Sequence, residues 1–217
     1  MGDSKKDYKA SLLLGALAAV LSKTMIDNIG LSQKIINFLH LDLSPSFVTI
    51  LIMIFIFIAC PVGIFIARLI GKKSMSVYQI IKFGETGGLN TFVDMGIFNL
   101  LIFATGTSTG FIVSIGFKGI SFITAVINSY FWNKHWVFES KAKNKSGERE
   151  FAKFMAVSAG GFIVNISVAS LILTLAKRSG VNSIIMANIA GFAAIALTMV
   201  WNFLGYKLVV FVKPKKK

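Results

Sequence analysis

The sequence has few acidic residues, few histidines and a single cysteine. Cys60 stands alone in an apolar run, which excludes a disulfide framework or a cysteine-based metal site within one chain. His40 and His135 are too few and too far apart to predict a metal site. Only 15% of the residues are charged and 55% are apolar, which excludes a soluble enzyme, a secreted disulfide scaffold and a disordered chain. These proportions predict an integral membrane protein.

Acidic residues are outnumbered by basic ones, with 9 Asp and Glu against 23 Lys and Arg and a net charge of +14. In so apolar a chain, a basic excess sets membrane topology more readily than it binds nucleic acid. We therefore expect membrane lipids, and no nucleic acid, as partners.

Six stretches are long and apolar enough to predict transmembrane helices, which need roughly 20 apolar residues. They cover residues 10–26, 46–70, 80–104, 111–133, 151–176 and 183–206. The first follows three lysines and has two interpretations: an uncleaved helix or a removed secretory signal. We favour the uncleaved helix because its small residues lie within the apolar run and not after it. Between the first two spans, Leu31, Ile35, Phe38 and Leu39 predict a short amphipathic helix on the membrane surface.

Most basic residues fall in segments on one side of these six spans. The other side keeps Lys23, Lys34, Lys118, Lys177 and Arg178. Under the positive-inside rule, this bias predicts that both termini are cytoplasmic. The expected location is the cytoplasmic membrane of a prokaryote.

The last four spans read as a repeat. Lys82-Phe83 matches Lys153-Phe154, and Asp94 matches Asn165 at the same offset. The segment from Asn133 to Phe138 likewise matches the one from Tyr206 to Phe211. Because both units would begin in the cytoplasm, we predict an all-α membrane protein with six transmembrane helices, the last four forming two parallel helical-hairpin repeats.

The first repeat carries a pattern with a family resemblance. Lys82-Phe83-x-x-x-Gly87-Gly88-x-Asn90-Thr91-x-x-Asp94, closed by Asn133-Lys134-x-Trp136-Val137-Phe138, resembles the GtrA-like family of small membrane proteins. The resemblance implies a four-helix core and a part in translocating polyprenyl-phosphate-linked sugars for cell-surface glycosylation. The chain would divide into an N-terminal extension (1–75), a core (76–212, with repeats 80–138 and 151–211) and a basic tail (213–217). The extension and Glu85 depart from the family pattern.

Asp94 is the first candidate site residue, because a carboxylate inside a membrane span is costly and is usually functional. Gly87, Asn90, Thr91 and Asp94 follow the i, i+3, i+4, i+7 spacing of one helix face. Gly87 and Gly88 would let another helix approach that face. Asp94 would accept hydrogen bonds from sugar hydroxyls or carry a proton. The alternative is a structural hydrogen bond from Asn90 and Asn165.

The cytoplasmic ends of the repeats supply the other candidates. Four lysines at matching positions would hold a lipid phosphate, unless they only set topology: Lys82, Lys134, Lys153 and Lys207. Three amides would point into the same region: Asn128, Asn133 and Asn202. Trp136 would belong to an interfacial belt or stack on a sugar. Glu85 would pair with Lys82 or Lys153, or contact substrate.

No catalytic or phosphate-cradling motif is present, so we predict a protein without enzyme activity or cofactor. Two other functions remain open. The chain would be a non-transporting accessory of a membrane glycosyltransferase, with the loop 141–150 as its docking surface. Alternatively, it would be a small proton-coupled cation exporter using Asp94 or Glu85. Four small helices make a thin wall around a sugar, which favours a homodimer.

Overall fold

The computed structural model describes residues 3–141, 144–176 and 183–212. This part of the chain is built from helices and contains no β-strand. The α-helices are α1 (Ser4–Asn28), α2 (Leu31–Leu39), α3 (Pro45–Gly71), α4 (Met75–Thr105), α5 (Lys118–Trp132), α6 (Asn144–Ala176) and α7 (Ser183–Gly205). They fall into two compact units, Met1–Val137 with α1 to α5 and Phe138–Lys217 with α6 and α7.

Among the described residues, five helices are long and apolar enough to cross a bilayer. They are α1, α3, α4, most of α6 (Ser146–Leu175) and the segment Met186–Val210, which contains most of α7. Their large apolar side chains are widely exposed, for example Phe55 at 72%, Phe103 at 86% and Phe192 at 75%. Such exposure suits a hydrocarbon surrounding. The protein is therefore a multi-pass membrane protein.

The span predicted at 111–133 differs from a regular α-helix. Two π-helical segments, Ile112–Phe117 and Asn133–Val137, flank α5 without a break in the helical chain. The 15 residues of α5 alone rise about 22 Å, short of the roughly 30 Å hydrocarbon core. This stretch also contains Lys118. Because its α-helical part is short, this stretch is not among the five long apolar helices.

Local sequence signals explain where several helices begin and end. The Asp3 carboxylate caps α1 by accepting from the Lys5 N–H at 2.9 Å. Ser44 caps α3, with Pro45 in the first turn. Gly106, at a φ of +66°, ends α4. A helix, α2, forms where the amphipathic helix was predicted, and its place on the membrane surface stays a prediction. It attaches to α3 through a 2.7 Å hydrogen bond between Ser32 and Thr49, and leaves Phe38 81% exposed.

In the first unit, α1 packs closely against α3 and α4 through a face of small and polar residues. A Cβ at Gly15 would lie 2.7 Å from the Phe57 carbonyl oxygen, and one at Gly96 would lie 2.7 Å from the Leu21 side chain. Nothing lies within 4 Å of a Cβ built at Gly87 or Gly88. The close helix contact expected at that glycine pair is therefore found at Gly15 and Gly96 in the described structure.

The second unit is a helical hairpin closed by aromatic rings. The rings of Phe154 and Tyr206 stack with centroids 4.4 Å apart, and those of Phe138 and Phe211 stack at 5.0 Å. All four side chains are buried. This cluster fixes the end of α7 and the π-helical segment Tyr206–Val210 against the start of α6.

Candidate functional site

Polar side chains run along the contact between α4 and α5. Asn128 donates to the Asn90 side-chain oxygen at 2.6 Å. Further along, the Asp94 carboxylate accepts from Ser121 at 2.6 Å and from Lys118 at 2.5 Å. We call these five residues the polar seam. Its members lie on two antiparallel helices, so each contact joins α4 to α5.

The partners of Asp94 differ from those expected. Its hydrogen bonds within the described chain come from Lys118 and Ser121, whereas Asn90 is bonded to Asn128. Asn165 belongs to the second unit, where it donates to Thr198 at 3.2 Å. The Lys118 side chain is 51% exposed and that of Asp94 is 24% exposed. A partly exposed carboxylate with two donors, one of them a half-exposed lysine, can exchange one donor for a hydroxyl.

Beyond one end of the seam, a fully buried acid collects the donors of four side chains. The Asp7 carboxylate accepts from Arg68 at 2.6 Å, Lys82 at 3.0 Å, Trp136 at 3.2 Å and the Tyr78 hydroxyl. We call these five residues the Asp7 cluster. Asp7 comes from α1, Arg68 from α3, Tyr78 and Lys82 from α4, and Trp136 from the π-helical segment after α5.

Lys82 is thus a buried lysine, although the repeat pattern predicted a lysine at the cytoplasmic end of its span that holds a lipid phosphate. Its side chain is 1% exposed, and its ammonium lies 4.9 Å from the centroids of both the Tyr78 and the Trp136 rings. Such a cation is stable in an apolar surrounding because it has a carboxylate partner and aromatic faces. Trp136 is 1% exposed and serves this cluster.

Glu85 does not form the ion pair expected with Lys82 or Lys153 in the described structure. Its Oε2 accepts from Ser11 of α1 at 3.0 Å. Its Oε1 is buried without a hydrogen-bond partner among the described residues, and it faces Gly63 of α3. Glu85 therefore lies among α1, α3 and α4, one turn from the Asp7 cluster.

The remaining candidates of the first unit are Asn133 and Lys134, which directly follow α5, and Thr91 in α4. Lys134 donates to the Tyr130 hydroxyl at 3.0 Å. Asn133 donates to the Ser129 carbonyl at 2.8 Å, while its Oδ1 is buried with no partner among the described residues. The Thr91 hydroxyl donates to the Gly87 carbonyl of its own helix at 3.3 Å. Of this group, Lys134 and Asn133 are the side chains with donors or acceptors suited to a headgroup.

The second unit has its own polar contacts between α6 and α7. Ser158 and Tyr206 share a 2.7 Å hydrogen bond, and Asn165 bonds Thr198. Asn202 points its buried Oδ1, which has no hydrogen-bond partner among the described residues, at Gly161. Lys153 donates weakly to the Val209 carbonyl at 3.4 Å, and Lys207 lies 5.4 Å from the Phe203 ring. The four lysines predicted to hold a lipid phosphate are thus divided between the two units: Lys82 and Lys134 in the first, Lys153 and Lys207 in the second.

Sequence reasoning missed Asp7, Arg68 and Tyr78. Each lies 61 or more residues from at least one partner in the cluster, and no motif joins them. One signal was present: Asp7 is an acid within a run of lysines at the start of a membrane span. No group of three His, Cys, Asp or Glu side chains that could hold a metal ion occurs within 3–141, 144–176 and 183–212.

The part of the chain that is similar to known proteins includes the polar seam. The family described as "GtrA/DPMS, transmembrane domain" matches residues 82–211. A Bacillus subtilis protein named "Uncharacterized membrane protein YngA" is 27% identical over 130 residues, which cover 60% of this chain and 77% of that protein. No solved structure matches the chain.

Proposed function

Because the chain belongs to the GtrA/DPMS transmembrane-domain family, we propose that it helps to move polyprenyl-phosphate-linked sugars across the cytoplasmic membrane. Membership supports a membrane protein that handles such lipids. The finer proposal is translocation from the cytoplasmic to the outer leaflet, for glycosylation of cell-surface polysaccharide. The six predicted spans would then include the composite helix from Phe111 to Val137, with both termini in the cytoplasm.

The polar seam is the observation that carries this proposal. Lys82 and Asp94 are separated by about three helical turns of α4, a rise of about 18 Å and over half of the hydrocarbon core. Between them lies the Asn90–Asn128 pair, with both side chains part-buried. Lipid offers a sugar hydroxyl no partner, whereas these amides and the Asp94 carboxylate do. The seam is a route on which hydroxyls replace side-chain hydrogen bonds.

The lipid phosphate would be held at the end where α5 finishes. Lys134 is the half-buried cation there, and Asn133 adds a buried amide oxygen for a sugar hydroxyl. The second unit would bind phosphate and sugar through corresponding side chains: Lys153, Lys207, Asn165 and Asn202. The polyprenyl tail would stay in the bilayer throughout.

Reconstitution tests the proposal. The purified chain is placed in vesicles containing a geranylgeranyl-phosphate-linked hexose with a fluorescent label on the sugar, and a membrane-impermeant reductant bleaches the label in the outer leaflet. We expect faster loss of the protected label than in protein-free vesicles, and a slower loss with Asp94→Ala and Lys134→Ala. Equal rates with and without protein would refute translocation. Unchanged rates in both variants would refute the site.

A further inference from the structure

The Asp7 carboxylate occupies a complete oxyanion site. One oxygen accepts from Arg68 and Tyr78, and the other accepts from Lys82 and Trp136. A carboxylate offers about four lone-pair positions, so the four donors saturate it.

The donors have the chemistry of a phosphate site. A guanidinium and an ammonium are the preferred protein partners of phosphate oxygens. Tyr78 and Trp136 add neutral donors that are 1% exposed. A phosphate monoester presents three strong acceptor oxygens and up to two charges, whereas a sugar-linked phosphodiester presents two such oxygens and one charge, as a carboxylate does. Both can therefore use these donors.

The cluster combines residues from inside and outside the family match. Lys82 is the first residue of that match and Trp136 lies within it, whereas Asp7, Arg68 and Tyr78 precede it. Asp7 lies in the first turns of α1. The Arg68 side chain, 20% exposed, is the member of the cluster at its accessible edge. An anion that approaches from that edge therefore meets a site already filled by the Asp7 carboxylate of α1.

We propose that Arg68, Tyr78, Lys82 and Trp136 form a phosphate-binding site in which the Asp7 carboxylate stands in for the phosphate until a lipid-linked phosphate displaces it. The inference rests on the proposed function for the identity of the lipid. It adds Arg68 and Tyr78 as phosphate ligands. It also makes α1 an internal competitor that holds the site closed when no lipid is bound.

Binding to an Asp7→Asn variant tests this directly. The amide keeps the size of the side chain and removes the competing charge. Asp27→Asn is the matched control, because it makes the same change in the same helix on an exposed carboxylate. The probe is geranylgeranyl monophosphate added to protein in micelles. We expect Asp7→Asn to bind at least about tenfold more tightly than the unmodified chain, since a competitor lowers apparent affinity by the fraction of open sites. Asp27→Asn should bind like the unmodified chain.

Two further ligands identify what the site recognises. Geranylgeraniol has the tail without the phosphate, and equal binding of this alcohol would overturn the proposal. Inorganic phosphate has the anion without the tail. Competition by inorganic phosphate would support a site that takes phosphate from either source, whereas binding of the lipid form alone would support a headgroup site. Adding Lys82→Gln to Asp7→Asn should abolish the gain.

Hydrogen exchange on the unmodified chain keeps the proposal testable if Asp7→Asn does not fold. Geranylgeranyl monophosphate should displace Asp7 and so speed amide exchange in the first turns of α1. Geranylgeraniol should leave that exchange unchanged. Bound probe with unchanged exchange in α1 would overturn the displacement.

The vesicle assay separates this inference from the proposed function. Translocation by the unmodified chain, together with no gain of binding in a folded Asp7→Asn protein, would refute the competitor and leave the function standing. A gain of binding in a chain that does not translocate would support the phosphate site and refute the function.

Discussion

Lys82→Ala should destabilise the first unit far more than the loss of an exposed lysine. The substitution leaves the fully buried Asp7 carboxylate with three of its four donors. Breaking a buried ion pair typically costs about 3–5 kcal/mol. Because Arg68, Tyr78 and Trp136 still donate, we expect a loss of about 3 kcal/mol, at the lower end of that range.

Unfolding of purified protein by sodium dodecyl sulfate in mixed micelles measures this loss. Lys23→Ala is the control, because Lys23 pairs with Asp27 at 2.6 Å with the two side chains 59% and 46% exposed. Its loss should cost less than about 1 kcal/mol. A double-mutant cycle with Asp7→Ala should give a coupling of about 1–3 kcal/mol. If Lys82→Ala costs no more than Lys23→Ala, or the cycle gives no coupling, the account of the Asp7 cluster is wrong.

Other predictions concern packing, the second unit and the seam. Gly15→Ala should destabilise by about 1–3 kcal/mol in the same detergent unfolding assay, because its Cβ would meet the Phe57 carbonyl. Gly87→Ala should be neutral or stabilising in that assay. Tyr206→Phe removes the hydrogen bond to Ser158 and should cost about 1 kcal/mol; an unchanged stability would argue against that bond. Asp94→Asn should change stability by less than about 1 kcal/mol, because its ion pair with Lys118 is partly exposed. The same substitution should slow translocation in vesicles. A large loss of stability without a change in rate would assign Asp94 a structural role.

Patterns within one helix predicted much of this structure. The spacing of Asn90 and Asp94 placed both on one face of α4, and both do contact α5. The spacing of Leu31, Ile35 and Phe38 likewise predicted α2. These signals work because helix period alone decides which side chains share a face.

Contacts between distant segments could not be predicted in this way. Asp7 meets Trp136 across 129 residues, and it is this contact set that buries Lys82. The π-helical turns around α5 depend on a hydrogen-bond register that the apolar pattern does not reveal. At Gly87 and Gly88, the absence of side chains permits a close helix contact but does not require one. Tertiary packing placed that contact at Gly15 and Gly96.

The central claim is that the seam between α4 and α5 carries the sugar, and one pair of variants tests it most directly. Asn90→Leu removes the hydrogen bond to Asn128 of α5, whereas Asn99→Leu removes an amide of the same helix that bonds Asn28 of α1. The rate of label translocation in vesicles is compared for the two folded proteins. The account predicts at least about a tenfold slower rate for Asn90→Leu, equivalent to 1.4 kcal/mol, and a rate within about twofold of the unmodified chain for Asn99→Leu. Equal rates for both variants would contradict a route along the seam.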